Sequence, residues 1–183
     1  MEKHILIVVD MQNDFIAGSL GTEEAKIIVP EVVKRIEYAK KYKWLICCTQ
    51  DTHYDNYLYT HEGEKLPVKH CIFGTKGYEL HPDVLAALKE YPASIYNKNT
   101  FGSMDLADDI VTNIRNTHTE EKDVSIELVG LCTDICVVSN ALLLRAALPE
   151  ARIAVNTECC AGVTPETHIS AIRTMKQCQI DIL

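Results

Sequence analysis

The sequence predicts a three-layer αβα sandwich, Rossmann-like, built on a mostly parallel six-stranded sheet. Three observations lead there. Short apolar runs recur without polar alternation, as strands covered on both faces require. Segments with apolar residues at helical spacing separate them, so that strand and helix take turns along the chain. Two of the runs, "HILIVVD" (4–10) and "WLICCTQD" (44–51), end at an acid, where a strand leaves the core.

Taken in order, 4–10 is the first buried strand. "EEAKIIVPEVVKRIEYAKKY" (23–42) has helical spacing with an interior proline, which predicts a helix starting near Pro30. Residues 44–51 are the second strand, and 52–79 a long irregular segment. "HPDVLAALKEY" (81–91) reads as helix, "SIYNKN" (94–99) as strand, and "MDLADDIVTNIRN" (104–116) as helix. "DVSIELVGL" (123–131) is strand and "DICVVSNALLLRAAL" (134–148) helix; "ARIAVNTEC" (151–159) is strand, "PETHISAIRTMK" (165–176) helix and "QIDIL" (179–183) the last strand. No repeat, low-complexity block or linker interrupts this order, which predicts one domain over 1–183.

Composition narrows the function classes. Apolar residues make up 47% and charged residues 24%, and the net charge is -8. An acidic chain has no electrostatic draw to nucleic acid or to anionic membrane, so a neutral or cationic small molecule is the expected partner. The N-terminal apolar run is too short for a leader and no window suits a membrane span. Eight cysteines (47, 48, 71, 132, 136, 159, 160 and 178) include two sequence-adjacent pairs, a poor arrangement for cross-links. Reduced thiols and a cytoplasmic location are expected.

In open parallel sheets ligands bind beyond the carboxyl ends of the strands. Asp10, Asp51, Lys98 and the pair Cys132 and Cys136 all fall at such ends. A thiol attacks as thiolate, which a helix N-terminus or a nearby cation favours. Cys136 lies in the first turn of the helix that Thr133 or Asp134 would cap. Asp10 can act as base if burial raises its pKa, and Lys98 would stabilise the thiolate. Taken singly, a cysteine early in a helix is a small buried hydrophobe, a strand-end acid a cap and a lysine there a solvated charge. The three together on three strand ends outweigh those readings. A C-x-x-x-C redox pair is the competing one.

"VVDMQNDF" (8–15), "YNKNTFGS" (96–103) and "GLCTDICV" (130–137) resemble the isochorismatase-like cysteine hydrolases, in the nicotinamidase/pyrazinamidase branch, over nearly the whole chain and in the right order. The resemblance implies the isochorismatase-like hydrolase fold and a triad of Asp10, Lys98 and Cys136, with the acid relaying protons and the thiol forming a thioester acyl-enzyme. It further implies a cis Leu131–Cys132 peptide and an oxyanion hole made by the backbone N–H groups of Cys132 and Cys136. Hydrolysis of nicotinamide to nicotinate and ammonia is the expected reaction; another small amide or carbamoyl compound is the alternative. Members of the family often form homo-oligomers.

The irregular segment, which spacing alone would read as a solvated loop, matches the D-x-H and later H-C pattern of nicotinamidases, and that resemblance implies a metal. Asp51 and His53, at i and i+2 of an extended stretch, share a face, and His70 follows on the far side of the loop. One carboxylate and two imidazoles suit one divalent ion, Zn²⁺ first, with Fe²⁺ or Mn²⁺ as alternatives. A fourth ligand is expected from "THEGEKLP": Glu62, or else Glu64 or His61. The resemblance gives the ion the role of holding the substrate's pyridine nitrogen. Many nicotinamidases carry a tryptophan and a proline before the H-C pair; this chain has "LPVKHC", and its one tryptophan is Trp44. Phe15, Phe101 and Tyr57 are the candidate aromatic walls of the pocket.

Overall fold

Strand β1 (Lys3–Val9) displays the logic of the whole sheet in a computed structural model that describes residues 2–183. Ile5, Ile7 and Val9 face one layer of helices and Leu6 and Val8 the other, all of them buried. With both faces covered, no position of the run is left for a polar residue, hence the missing alternation.

The chain continues through a one-turn helix α1 (Asn13–Ile16), helix α2 (Glu23–Lys41), strand β2 (Leu45–Asp51), the short helices α3 (His61–Lys65) and α4 (Pro82–Leu88), and strand β3 (Ala93–Lys98). Helix α5 (Met104–Asn116), strand β4 (Val124–Leu131) and a π-helical turn (Thr133–Val137) follow, the turn running directly into helix α6 (Val138–Ala147). Strand β5 (Arg152–Ala161), helix α7 (Pro165–Gln177) and strand β6 (Asp181–Ile182) complete it. The sheet order is β3-β2-β1-β4-β5-β6 and every pairing is parallel. Val29, Val32 and Ile36 of α2 with Val84 of α4 cover one face. Leu106 and Ile110 of α5, Leu144 of α6 and Met175 of α7 cover the other.

Two local expectations need correcting. Helix α2 does not start near Pro30: Thr22 caps it, accepting from the Ala25 N–H, and Pro30 lies inside. The turn ahead of the proline buries Ala25, Ile28 and Val29, and that burial with the cap offsets the lost hydrogen bond. The segment 52–79 is not wholly irregular, since it holds a 3₁₀ turn at Tyr57–Tyr59 and helix α3. Among the described residues no helix is long and apolar enough to cross a membrane.

Because β1 and β4 are central neighbours and the chain moves outward from them in both directions, the sheet has its topological switch point between their carboxyl ends. Gly130 lets the two strands meet there: its φ is +116°, and a Cβ would lie 2.1 Å from the Val9 carbonyl oxygen.

Candidate active site at the switch point

Asp10 is the first residue beyond β1. Its φ of +46° lies in the left-handed region, which aspartate tolerates better than most side chains, and the turn aims its carboxylate into the sheet's end. The carboxylate is fully buried. Thr49 of β2 donates its hydroxyl to Oδ1 at 2.6 Å, and the Lys98 ammonium lies 2.7 Å from Oδ2. Lys98 closes β3 and sits in register with Asp51. Its Nζ donates to the Cys136 Sγ at 3.5 Å and stands 3.7 Å from Asp51 Oδ1. One buried ammonium therefore touches Asp10, Cys136 and Asp51, side chains delivered by the ends of β1, β4 and β2.

Burial dominates the proton equilibria here. It raises the Asp10 carboxyl, against the pull of Lys98. It also raises the Cys136 thiol well above its ordinary value, and Asp10 pushes the same way against Lys98. Burial pulls Lys98 down, but the negative partners around it win and the net shift is upward, so it remains charged. The expectation that a helix end would lower the thiol's pKa is thus reversed. An acid and a thiol both lifted by burial, beside a fixed cation, can exchange a proton at small cost.

The turn carrying Cys136 also differs from expectation. Neither Thr133 nor Asp134 caps a helix. The Thr133 hydroxyl is 2.8 Å from His168 Nδ1 on α7, and the Asp134 carboxylate accepts from the Val163 N–H at 3.1 Å. The Cys132 carbonyl closes the turn, accepting from the Ile135 and Val137 N–H groups at 3.1 and 3.0 Å. The Leu131–Cys132 peptide is cis. The Cys132 thiol is half-buried and pushed up to about 12, chiefly by burial.

Beside Lys98 lies the second cluster. One donor atom each from Asp51, His53 and His70 fall within 4.8 Å of one another, all three residues being buried. His53 Nε2 has no hydrogen-bond partner, although Asp51 Oδ2 is 2.9 Å away. His70 Nδ1 is 2.8 Å from the Val68 carbonyl, which fixes the proton on Nδ1 and leaves the Nε2 lone pair facing Asp51. Two imidazole nitrogens and a carboxylate, one nitrogen orphaned, form a donor set that fits a divalent cation. Glu62 Oε1, at 3.6 Å from both Nε2 atoms, is the nearest further acid. Burial, and then Asp51, raise its carboxyl.

A cavity of about 380 Å³ joins the two clusters. Cys136, Asp51, His70 and Glu62 contribute its polar lining; Phe15, Leu20, Leu66, Phe101, Ile135 and Val163 supply apolar wall. Phe15 and Phe101 are both part of this lining. Tyr57 lines a neighbouring cavity with His53, Glu62 and Phe101; its side chain is buried, its ring 4.6 and 4.9 Å from those of His53 and His70, and its hydroxyl donates to the Leu66 carbonyl. Trp44 stacks on His4. Sequence reasoning missed Gln12, Thr49 and His168. A glutamine two residues beyond Asp10, in a stretch otherwise buried, was the available signal for the first.

A doubly wound sheet with acid, lysine and thiol gathered at its switch point defines the class of isochorismatase-like hydrolases. Residues 4–183 match the isochorismatase domain, and the chain belongs to the isochorismatase family. It is 25% identical to the nicotinamidase/pyrazinamidase of Mycobacterium tuberculosis over 97% of each chain. Among solved structures it resembles the pyrazinamidase of Pyrococcus horikoshii in complex with zinc (27% identity, TM-score 0.78, covering 99% of this chain and 98% of that one). The nicotinamidase of Bacillus subtilis is similar at 25% identity and a TM-score of 0.82, over 98% of both chains.

Proposed function

We propose that the protein is a metal-assisted cysteine amidase that hydrolyses nicotinamide to nicotinate and ammonia, all within one domain. The observation that carries this reading is one cavity whose lining includes Cys136, Asp51 and His70 together with apolar wall. Such a site suits a flat, neutral ring that bears both a nitrogen ligand and a carboxamide. The relatives' names support the same substrate class.

Cys136 attacks the amide carbonyl as its proton passes to Asp10. The backbone N–H groups of Cys132 and Cys136 receive the developing oxyanion. Asp10 then gives the proton to the departing nitrogen, ammonia leaves, and a thioester remains. Asp10 takes a proton from water as it attacks the thioester, and returns it to the thiolate. Lys98 holds Asp10 and the thiolate together throughout. A divalent cation on Asp51, His53 and His70, with Glu62 as fourth ligand, would anchor a ring nitrogen; the donor set suits Zn²⁺ first, then Fe²⁺ or Mn²⁺.

Leu66 on the cavity wall, with Trp44 elsewhere, favours a second reading in which the same residues act on another small amide or carbamoyl compound. Ammonia release from nicotinamide, by metal-loaded protein and by its Asp51→Ala variant, separates the readings. Turnover by the first and its loss in the second is the expected result. Turnover retained by the variant removes the metal's part, and no turnover by the intact protein replaces nicotinamide with another amide.

A further inference from the structure

Strand β1 makes its last ladder contact with β2 at Val9 opposite Thr49. Two residues further along β2, the backbone of Asp51 faces a place that β1 no longer fills. The Gln12 side chain fills it. Its Oε1 accepts from the Asp51 N–H at 2.7 Å and its Nε2 donates to the Asp51 carbonyl at 2.8 Å, so one primary amide continues the ladder. Nε2 also donates to the Tyr78 carbonyl at 2.8 Å, and the residue is wholly buried.

Asp14 treats the other ligand segment in the same way. Its Oδ2 accepts from the Cys71 N–H at 2.8 Å, immediately after His70. Cys71 has a φ of +46°, a conformation that a β-carbon disfavours and that needs holding. A Cβ on Gly77 would lie 2.1 Å from the Asp14 carboxylate, so only glycine admits the acid there. The Asp14 N–H donates to the Gly77 carbonyl at 3.0 Å, closing the frame.

We infer that Gln12 and Asp14 are positioning residues for the metal ligands, Gln12 locking the backbone of Asp51 and Asp14 that of the His70–Cys71 peptide. This rests on the metal part of the proposed function. Neither side chain is asked to touch the ion or the substrate. Both belong to the stretch that begins with Asp10, so a single short segment sets the distance between the proton-relaying acid and the ion. Backbone partners of this kind reduce the disorder of a donor set before the ion arrives.

The test is Zn²⁺ affinity, measured by competition with a chromophoric chelator, together with the absorption spectrum of the Co²⁺-loaded protein. Gln12→Met keeps the shape and removes the hydrogen bonds; Asp14→Ala removes the acceptor, and Asp14→Asn restores one. We expect Gln12→Met and Asp14→Ala to weaken Zn²⁺ binding by about 10–100-fold and to alter the Co²⁺ spectrum, with Asp14→Asn returning toward wild type. Arg35→Met, which destabilises the fold away from the site, should leave both readouts unchanged. Wild-type affinity and spectrum in a folded Gln12→Met or Asp14→Ala protein overturn the role of that residue, and if one variant does not fold the other decides. Failure of the wild-type protein to bind either ion overturns the metal reading itself, and this inference with it.

Discussion

Two ion pairs anchored on this sheet are built differently. Glu127 of β4 meets Arg35 of α2 through a two-pronged contact, Nε to Oε1 at 2.6 Å and Nη2 to Oε2. Asn156 adds a third bond to Oε1 at 3.0 Å, and the guanidinium lies 4.4 Å over the Tyr38 ring and 4.8 Å over the Trp44 ring. Both oxygens of that carboxylate accept, Oε1 twice. Asp10 and Lys98 are more deeply buried, and their ammonium is divided among two carboxylates and a thiol. A planar fork matches one carboxylate and holds it; a point charge can be shared and redistributed as protons move. The first arrangement fixes a helix to a strand, and the second leaves charge free to be rearranged.

Removing each cation is the strongest way to break that comparison. Lys98→Met should cost about 10³-fold or more in kcat/KM, since thiolate and acid lose their common partner. Arg35→Met should leave the turnover of folded protein nearly unchanged and lower unfolding stability by up to about 3 kcal/mol, because the buried Glu127 carboxylate keeps only the Asn156 amide beside it. Adding Glu127→Leu should return most of that loss, read by denaturant unfolding. An Arg35→Met protein that keeps its stability but loses turnover would put the reactive pair in the wrong place.

The next contrast lies in proton affinity. Burial raises Asp10 against Lys98, so the acid limb of kcat/KM should lie above the ordinary carboxylate range, with activity falling as pH drops through it. Thr49→Val removes a hydroxyl that favours the charged form, and should move that limb to still higher pH by up to about one unit, with Thr49→Ser restoring it. A limb that does not move would take Thr49 out of the acid's environment.

The smallest expected effect concerns His168, which burial holds below its ordinary value of 6.5. The unfolded chain then takes up the proton first, so the folded state loses stability as pH falls from about 6.5 toward the lowered folded value. His168→Asn should flatten that part of the stability profile while costing about 0.5–1.5 kcal/mol at pH 8 through the lost bond to Thr133. An unchanged profile would mean that His168 carries none of the pH dependence.

The sequence disclosed what periodicity and strand ends can disclose. Asp10, Asp51, Lys98 and Cys136 stand where apolar runs stop, and parallel topology carries such ends to one edge. What it withheld depends on partners distant in the chain. Pro30 argued locally for a helix start, and the packing of Ala25, Ile28 and Val29 with the Thr22 cap overrules it. Thr133 and Asp134 looked like caps until α7 and the Val163 backbone claimed them. Nothing local in the sequence reveals that Tyr57 also backs two imidazoles. The amide of Gln12 has no local role to betray it, since its partners lie on β2 and at Tyr78.

The order of the sheet also has a consequence for how the molecule comes into being. β1 pairs with β4 in a register that sets Lys3 opposite Val124. During synthesis the first strand can find β2 early, but its other edge stays open until most of the chain has emerged. Contacts of such long sequence separation form slowly, and an open apolar edge is a template for unwanted pairing. The nucleophile travels just behind β4, so the same docking event that closes the exposed edge delivers the thiol to its acid and lysine. Until the centre of the sheet is sealed, a nascent chain has no assembled site.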